Sequence, residues 1–451
     1  MATDLIKDYL RSILKLNCPE CQRTVSTICD REELETFQQH RLTNLLNHAL
    51  ANVPYYQKVL NGLEVEKNET IHLSSFQEIP LLTKDIIRAN FNSLISNDYM
   101  DRKPSYNTSG GSTGEPVRFV QDKYYQRWSE AVTRYYYSEI LGTDWFRSKK
   151  VNLWGHLREI AHNRTGIKPK VGCWLTNTVF LSAFRMAPQD MERYIFIINS
   201  YKPDLIHGYA GSLHELSKYA IKNNLNLYTP RFIVSTAETL RDDMRIGIEQ
   251  AFGTKVYNFY GSREVSNLAG ECPKGLMHTF DFWNYLEIVD ENNKPVEEGE
   301  EGRVVVTNLF NYSMPLIRYE IGDLAIRGPD QCGCGNFSHT IAKVTGRVSD
   351  PFVLEDGTII YSYFNQLFYF KDWVHSFQIV QEEYKQVRIF IKLQGEINRR
   401  DQLEIEAQMR LVMGQDCVII WDVVDEIPKT PSGKYLYRIS YVWRDLQKKS
   451  S

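Results

Sequence analysis

The chain has 451 residues and a formal net charge of −3, from 53 basic and 56 acidic side chains. This length predicts two to four domains, although a single large α/β domain is also compatible with it. The near-balance of charge argues against a protein that coats nucleic acid or binds membranes through a basic surface. A hydrophobic share of 43% and a charged share of 24% exclude wholesale disorder.

No apolar run approaches the ~18 residues that a bilayer-spanning helix needs. The first 16 residues alternate charged and apolar side chains, which predicts an amphipathic helix rather than a signal peptide. We therefore expect a cytoplasmic protein with no membrane span and no nucleic-acid partner.

The first hundred residues are predicted to be rich in helix. Thr83 precedes a helical pattern and is a candidate N-cap. Apolar residues recur at helical spacing in one long segment. They are Leu34, Phe37, Leu42, Leu45, Leu46 and Leu50.

From residue 149 to residue 262, short apolar strands alternate with helical segments. This order is typical of βαβ units and predicts an α/β fold with mainly parallel sheets. After Asp281 the pattern changes to two strands around a polar turn, an antiparallel hairpin. The last hundred residues mix strands with one helix, enough for a small α+β domain. We place the large domain at 1–347, with 1–100 as its helix-rich start, and the small domain at 348–451.

The strongest local motif is a loop rich in hydroxyls and glycines. Its core residues are Ser109, Gly110, Gly111, Ser112, Thr113 and Gly114. Backbone N–H groups and hydroxyls of such a loop can surround phosphate oxygens. It is not a Walker A loop, because no Lys-Ser/Thr follows the last glycine. By composition alone, a flexible surface linker explains it equally well.

Four further motifs carry charged side chains. Glu264 follows a predicted strand in Tyr-Gly-Ser-Arg-Glu, where it could hold Mg²⁺ or simply form a surface ion pair. Asp323 follows a glycine, and Asp350 ends Gly-Arg-Val-Ser-Asp near the predicted boundary. Lys434 ends Pro-Ser-Gly-Lys on a predicted turn, where a lysine can bind a phosphate or only face solvent.

In this order, together with Ser-Thr-Ala-Glu at 235–238, the motifs resemble those of the adenylate-forming superfamily of acyl-activating ligases. The chain is most similar to the phenylacetate–CoA ligase branch and its CapK-type capsular polysaccharide relatives. The resemblance extends from about residue 75 to Lys434.

The resemblance implies a nucleotide site. Its residues would be Ser109 to Gly114, Ala237, Glu238, Tyr260, Gly261, Ser262, Asp323, Arg347 and Lys434. The loop would hold the ATP phosphates, Ala237 and Glu238 would line the adenine pocket, and Tyr260 would stack on adenine. Asp323 would accept the ribose hydroxyls, and Arg347 would reach the ribose or a phosphate.

The catalytic residues implied are Glu264, as the Mg²⁺ ligand, and Lys434, which adenylation requires. The small domain would be a mobile lid that rotates about a hinge at Asp350 between two half-reactions. The acid is first adenylated with release of pyrophosphate. The acceptor is then the CoA thiol or an amine, because the segment after Asp350 departs from the ligase pattern. A third interpretation is a protein of this family that has lost catalysis. The presence of both Glu264 and Lys434 argues against it.

One Cys/His group has the composition of a structural zinc site, namely Cys272, His278, Cys332 and Cys334. In a reducing compartment such a group favours a metal over a disulfide. His339 is a rival fourth ligand, and four unrelated side chains are the alternative. Cys18 and Cys21 are expected to be inert thiols.

Four residues at predicted strand ends are candidates for the pocket that binds the carboxylic acid, with ordinary packing as the alternative. They are Trp154, His156, His207 and Tyr209. The acid itself is not identified, and a homodimer would suit relatives of this branch.

Overall fold

A computed structural model gives the fold of the chain. It describes residues 21, 24, 27–60, 76–109, 117–154, 167–183, 186–345, 350, 352–357, 359–360, 364–368, 371–427 and 438–450.

The first described helices form the start of the large unit. They are α1 (Arg31–Asn52), α2 (Pro54–Val59), α3 (Lys84–Ala89) and α4 (Phe91–Leu94), followed by a 3₁₀ turn at Tyr99–Arg102. Thr83 caps α3 as predicted, because its side chain accepts a hydrogen bond from the backbone N–H of Ile86. The apolar spacing in α1 also predicted its buried face, which includes Leu34, Leu42 and Leu46.

An eleven-stranded sheet dominates the fold, and five of its strands are parallel. In spatial order they are β4 (Thr178–Ser182), β3 (Lys150–Trp154), β5 (Leu205–Tyr209), β6 (Phe232–Thr236) and β7 (Val256–Ser262). The helices that accompany them are α6 (Ile167–Leu175), α7 (Pro188–Tyr201), α8 (Ala210–Lys222) and α9 (Asp242–Phe252).

The sheet continues beyond β7 as antiparallel strands. From β7 outward they are β8 (Ser266–Glu271), β9 (Met277–Thr279), β13 (Thr340–Val344), β12 (Tyr319–Arg327), β11 (Glu301–Asn308) and β10 (Asn284–Val289). β10 and β11 form the predicted hairpin. A separate two-stranded ribbon joins β1 (Ser105–Thr108) to β2 (Arg118–Gln121), and α5 (Lys123–Tyr135) follows it.

Apolar layers cover both faces of this sheet. On one face, α7, α8 and α9 pack on the parallel strands through residues such as Ile198, Leu213 and Ile248. On the other face, α1 and α5, which carries Trp128, pack in one core with residues of the antiparallel half such as Trp283. The chain is therefore an α/β protein, as predicted, with a sheet that is mixed rather than wholly parallel.

The C-terminal residues build a second, four-stranded sheet in the order β18-β17-β16-β19. These strands are β16 (Val374–Glu383), β17 (Gln386–Leu393), β18 (Val418–Val423) and β19 (Arg438–Ser440). The smaller elements are β14 (Phe352–Val353), β15 (Ile359–Ile360), a 3₁₀ turn at Phe364–Leu367, α10 (Arg399–Met413) and α11 (Tyr441–Ser450). These residues have a hydrophobic core of their own, which matches the predicted smaller α+β unit. Within the described residues, none of the helices has both the length and the apolar content that a membrane crossing requires.

Candidate functional site

Two hydrogen bonds close the base of the hydroxyl-rich loop. The backbone N–H of Ser109 donates to the carbonyl of Val117, and the Val117 N–H donates to Ser109 Oγ, each over 2.8 Å. Ser109 is buried, so this pair is protected from water. The other predicted phosphate-binding residues, from Gly110 to Gly114, lie outside the described residues. The ends of the loop are thus fixed to each other by the β1–β2 ribbon.

Tyr260 and Asp323, taken from two different motifs, are in direct contact. The phenol of Tyr260 donates to Asp323 Oδ2 over 2.8 Å. Strand β12 has a bulge at this point. Arg303 and Val305 of β11 are two residues apart, whereas their partners on β12, Leu324 and Glu320, are four residues apart. Gly322 has φ = +90° inside the bulge, a conformation in which a side chain would be strained. Such bulges redirect side chains, here the Asp323 carboxylate.

Glu264 occupies the tight turn between β7 and β8. It is 5% exposed, and its Oε1 accepts a 3.3 Å hydrogen bond from the phenol of Tyr319. The backbone of the turn is fixed by Gln121, whose Nε2 donates to the carbonyls of Arg263 and Glu264 over 2.9 and 3.2 Å. A single fixed carboxylate suits Mg²⁺, which binds one or two carboxylates and takes its other ligands from phosphates and water.

Glu238 ties the ends of two parallel strands together. Its Oε2 accepts a 2.7 Å hydrogen bond from the backbone N–H of Gly211, in the first turn of α8. The preceding residue, Ala237, is exposed and has a left-handed backbone with φ = +65°. Strained backbone of this kind occurs at ligand sites more often than elsewhere. The segment predicted to line the adenine pocket is therefore at the carboxyl edge of the sheet, as expected for a ligand site.

Three of the four predicted acid-pocket residues form one aromatic group. Ring centroids of Trp154 lie 5.3 Å from His207 and 4.9 Å from Tyr209. Burial lowers the pKa of His207 to about 4, so its imidazole is neutral at physiological pH. The fourth residue, His156, lies outside the described residues.

The predicted Cys/His residues lie together. One ligand atom from each of the four residues lies within 4.8 Å of the others. The sulfurs of Cys272 and Cys332 are 3.7 Å apart, and Cys334 Sγ is 3.2 Å from His278 Nε2. Two sulfurs on one tetrahedral zinc, each at ~2.3 Å, would be about 3.8 Å apart. The spacing therefore fits a shared metal, whereas a disulfide would need about 2.05 Å.

The sheet explains how residues about 60 positions apart meet. Cys272 follows β8, His278 is on β9, and β9 pairs with β13 through His278 and Thr340. The β12–β13 connection, which carries Cys332 and Cys334, is thereby placed beside β8 and β9.

Both cysteine turns have the same local design. Gly275 donates its N–H to the carbonyl of Cys272, and Gly335 donates to that of Cys332. Each glycine has a positive φ, at +92° and +85°. The N–H of Asn336 also donates to Cys334 Sγ over 3.4 Å. Hydrogen bonds of this kind, from neighbouring groups to the atoms that would bind a metal, are typical of metal sites.

Burial lowers the pKa of His278 and raises the pKa of Cys334 to about 11. Metal binding here would therefore release protons from thiols.

The rival ligand His339 is engaged elsewhere. Its Nδ1 lies 2.9 Å from Asp281 Oδ2, and its backbone N–H donates to the same oxygen over 2.8 Å. The Asp281 carboxylate raises the pKa of His339. Among the described residues, the ligand atoms that lie within 4.8 Å of one another belong to Cys272, His278, Cys332 and Cys334, and His339 is not part of this group.

The remaining predicted residues are only partly described. Arg347, Lys434 and Cys18 lie outside the described residues. Asp350 is buried, and its Oδ2 accepts hydrogen bonds from the Ser440 N–H at 3.1 Å and from Arg444 Nε at 2.6 Å. Cys21 is disulfide-bonded, so the expectation of an inert thiol was wrong for that residue.

Several site residues were missed by the sequence analysis. Tyr319 and Gly211 contact the predicted Glu264 and Glu238, and Asn152 and Tyr137 lie beside the aromatic group of His207. Asn152 carries one signal that could have been used, because it is a polar residue between two apolar ones, Val151 and Leu153, in a parallel strand.

Comparison with known proteins agrees with this fold. Residues 352–440 match the CapK C-terminal domain family. The chain is 24% identical to Protein CapK of Staphylococcus aureus over 421 residues. This alignment covers 91% of this chain and 90% of that protein. It is also 24% identical to the Phenylacetate-coenzyme A ligase of Escherichia coli strain K12, over 84% and 83% of the two chains.

Solved structures share the fold. A 2-Hydroxyisobutyryl-CoA Ligase in complex with 2-HIB-AMP and CoA has a TM-score of 0.58 and 19% identity, with 93% of each chain covered. The same ligase in its postadenylation state has a TM-score of 0.56. Along most of its length the chain is thus similar to adenylate-forming ligases in sequence and fold. Its similarity to CapK covers the same length, and residues 352–440 match the CapK C-terminal domain.

Proposed function

We propose that this ligase adenylates a carboxylic acid with ATP and then transfers the acyl group to the thiol of CoA. The contact between Tyr260 and Asp323 is the observation that carries the proposal. It joins the residue proposed to stack on adenine to the residue proposed to accept the ribose hydroxyls. Two relatives named as phenylacetate–CoA ligases support the CoA acceptor.

The chemistry overcomes the poor leaving group of a carboxylate. A carboxylate oxygen attacks the α-phosphorus of ATP, the bond to the bridging oxygen breaks, and pyrophosphate leaves. The thiol sulfur then attacks the acyl carbon, the thiol gives up its proton, and AMP leaves with the electrons of the C–O bond. Both first-step reactants are anions, so positive charge and oriented N–H donors must offset their repulsion.

We assign these tasks to specific residues. Lys434 and Arg347 would supply positive charge, and residues Ser109 to Gly114 would hold phosphate oxygens. Glu264 would hold a Mg²⁺ ion, which neutralises phosphate charge when it is bound. Glu238, held by Gly211, would keep the adenine side of the site in place. The small unit, proposed as residues 348–451, would act as the lid.

We also propose a structural zinc at Cys272, His278, Cys332 and Cys334. Three thiols and one imidazole complete a tetrahedral shell and leave no position for a substrate. The zinc would fasten the β12–β13 connection to β8 and β9.

Residues 352–440, which match the CapK C-terminal domain, would meet the adenylate in the second step. The sequence after Asp350 departs from the phenylacetate–CoA ligase pattern, so an amine is the second candidate acceptor. The product would be an amide, formed on an amino sugar or amino acid during surface-polysaccharide assembly. The cytoplasm, which holds ATP and CoA, is the proposed location for either reaction.

Pyrophosphate exchange tests the first step. Purified protein, ATP, Mg²⁺ and labelled pyrophosphate are incubated with a panel of carboxylic acids, and label is expected in ATP with at least one acid. Absence of exchange with every acid, while AMP still binds, would overturn the proposal. Mass spectrometry of the products with CoA or with amines then separates the two acceptors.

A further inference from the structure

The strand that follows the proposed phosphate-binding loop is in direct contact with the turn that carries Glu264. Strand β2 begins at Arg118, directly after the Val117 that closes the loop, and it ends at Gln121. Gln121 Nε2 donates to the carbonyls of Arg263 and Glu264 over 2.9 and 3.2 Å, although these residues are 142 and 143 positions further along the chain. One side chain therefore connects two motifs of the proposed nucleotide site.

The contacts of the Gln121 amide define its orientation. Both backbone carbonyls only accept hydrogen bonds, so the NH₂ group must face them. The Oε1 atom accepts a 3.4 Å hydrogen bond from Asn107 Nδ2 on the paired strand β1. Gln121 is 6% exposed, so water competes little for these bonds. The amide is thus a fixed connection between β2 and the Glu264 turn.

Helix α5, which follows β2 directly, contacts the same turn. Asp122 caps this helix, because its Oδ1 accepts a 2.8 Å hydrogen bond from the backbone N–H of Tyr125. The phenol of Tyr125 donates to the Glu264 carbonyl over 3.4 Å. Gln121 and Tyr125 therefore hold the Glu264 backbone from one continuous segment, which starts where the proposed phosphate-binding loop ends.

This connection matters because Mg²⁺ tolerates little displacement of its ligands. It requires nearly ideal octahedral geometry at about 2.0–2.1 Å and combines carboxylate and phosphate oxygens in one shell. In the proposed site Glu264 supplies the carboxylate, and the loop from Ser109 to Gly114 holds the phosphates. The side chain of Glu264 is fixed by Tyr319, whereas Gln121 fixes its backbone relative to that loop.

We propose that Gln121 is a positioning residue that acts through Glu264 and keeps the Mg²⁺-binding carboxylate at the correct distance from the ATP phosphates. The inference rests on the nucleotide site proposed above. Groups that orient metal ligands contribute about 10- to 100-fold to metal affinity or activity. Loss of the Gln121 amide should therefore weaken the binding of ATP with Mg²⁺. The binding of AMP, which is assigned to Tyr260 and Asp323, should change little.

Gln38 offers a matched control elsewhere in the fold. Like Gln121, it is 6% exposed, and its Nε2 donates to two backbone carbonyls. These are the carbonyls of Asp281 and Asn284, over 3.0 and 3.2 Å. Replacing either glutamine by methionine keeps an unbranched side chain and removes the donor. Both variants should therefore lose a similar amount of thermal stability.

The test measures nucleotide binding by isothermal titration calorimetry, with ATP in Mg²⁺, ATP in EDTA, and AMP. Mg²⁺ should strengthen ATP binding to the wild type by about 10-fold or more. Gln121→Met should weaken ATP binding in Mg²⁺ by about 10-fold, and the other two affinities should stay within about 3-fold. Gln38→Met should keep all three within about 3-fold, and thermal melts check that each variant is folded.

A double mutant distinguishes action through Glu264 from a general loss of structure. In a Glu264→Gln protein, Gln121→Met should change ATP binding in Mg²⁺ by less than about 2-fold, because the carboxylate that it positions is absent. Tyr125→Phe is a milder second variant, which keeps the buried ring and removes the phenol. It should weaken ATP binding in Mg²⁺ by about 2- to 5-fold.

Three results would overturn this inference while the proposed function stands. They are an unchanged ATP affinity in Mg²⁺ for Gln121→Met, an equal loss in Gln38→Met, and a full further loss in the double mutant. A Glu264→Gln protein that keeps the whole effect of Mg²⁺ would instead overturn the metal assignment of the proposed function, and this inference with it.

Discussion

The phenol of Tyr260 donates a 2.8 Å hydrogen bond to a carboxylate oxygen of Asp323, which is 63 residues further along the chain. The bond connects β7 to the bulge of β12, with three strands of the sheet between them. It fixes the direction of a carboxylate at the proposed nucleotide site before any nucleotide binds.

Asp323→Asn is expected to weaken AMP binding by about 10- to 100-fold, because hydrogen bonds to a charged acceptor contribute about 1.5–3 kcal/mol. Tyr260→Phe keeps the ring and removes only the contact to Asp323, so a loss of less than about 10-fold is expected. Isothermal titration calorimetry with AMP measures both. An Asp323→Asn protein that binds AMP within twofold of the wild type would show that Asp323 does not contact the ribose.

Glu264→Gln should reduce adenylation by about 100-fold or more, because it removes the charge proposed to hold Mg²⁺. The glutamine can still accept the hydrogen bond from Tyr319, so folding should be preserved. Initial rates across a Mg²⁺ titration and a thermal melt measure the two effects.

Glu271→Gln is the matched control on the neighbouring strand. Glu271 is buried and pairs with Arg245 through contacts of 2.7 and 3.2 Å. Its loss should cost stability, about 2 to 3 kcal/mol, with little change in Mg²⁺ dependence. A reversed pattern, in which Glu271→Gln changes the Mg²⁺ dependence and Glu264→Gln does not, would place the ion elsewhere.

The purified protein is expected to contain about one equivalent of zinc, and Cys332→Ser should lower it below about half an equivalent. The variant should also melt at a lower temperature, because a metal that binds only the folded state stabilises it. Elemental analysis and thermal melts provide the measurements. Cys173→Ser, at a half-buried free thiol, is the control and should keep its zinc. Less than half an equivalent in the wild type counts against the site.

Acid should destabilise the protein through His207. Unfolded histidine has a pKa near 6.5, whereas burial lowers that of His207 to about 4. Between these values the unfolded state binds the extra proton, so stability falls as the pH falls below about 6.5. From pH 7 to pH 5 the loss due to this residue is about 2 kcal/mol. Urea unfolding of the wild type and His207→Gln at both pH values should show a smaller loss in the variant, and equal losses would contradict the assignment.

Lys434→Ala is expected to reduce adenylation by about 100- to 1,000-fold, since it removes positive charge from the proposed transition state. A supplied acyl-adenylate should still be converted to the thioester or amide, because that step starts from a neutralised carboxylate. The two half-reactions are measured separately by pyrophosphate exchange and by product mass spectrometry. Normal exchange in this variant would show that another cation performs the role.

Four of the five parallel strands, β3, β5, β6 and β7, could be predicted because short, mainly apolar runs alternate with helical patterns, which form helices of 11 to 14 residues. The fifth, β4, was not predicted. The antiparallel strands β8 and β9 were not predicted. They are short, with Asn267, Glu271 and His278 among their buried residues, so no apolar alternation marks them. Polar residues of this kind are buried only because neighbouring strands supply their partners.

The candidate site, like the fold, could be predicted from sequence only in part. Cys272, His278, Cys332 and Cys334 were predicted from residue type, yet their proximity depends on the pairing of β9 with β13. The contact between Tyr260 and Asp323 depends on a bulge, which spacing does not reveal. A buried polar atom without a hydrogen-bond partner among the described residues, such as Tyr137 Oη, is a property of packing and has no signature in sequence. The domain boundary near residue 348 stays a prediction.

The two hydrogen bonds between Ser109 and Val117 have a consequence for how the proposed phosphate-binding loop can vary in length. The β1–β2 ribbon holds the two ends of residues 110–116 together. Pairing of β1 with β2 therefore compensates the entropic cost of closing this segment, and the binding of a nucleotide need not do so. One residue added or removed between these ends would change the loop without shifting the register of either strand. Loop length is thus a feature that evolution or engineering can alter independently of the fold.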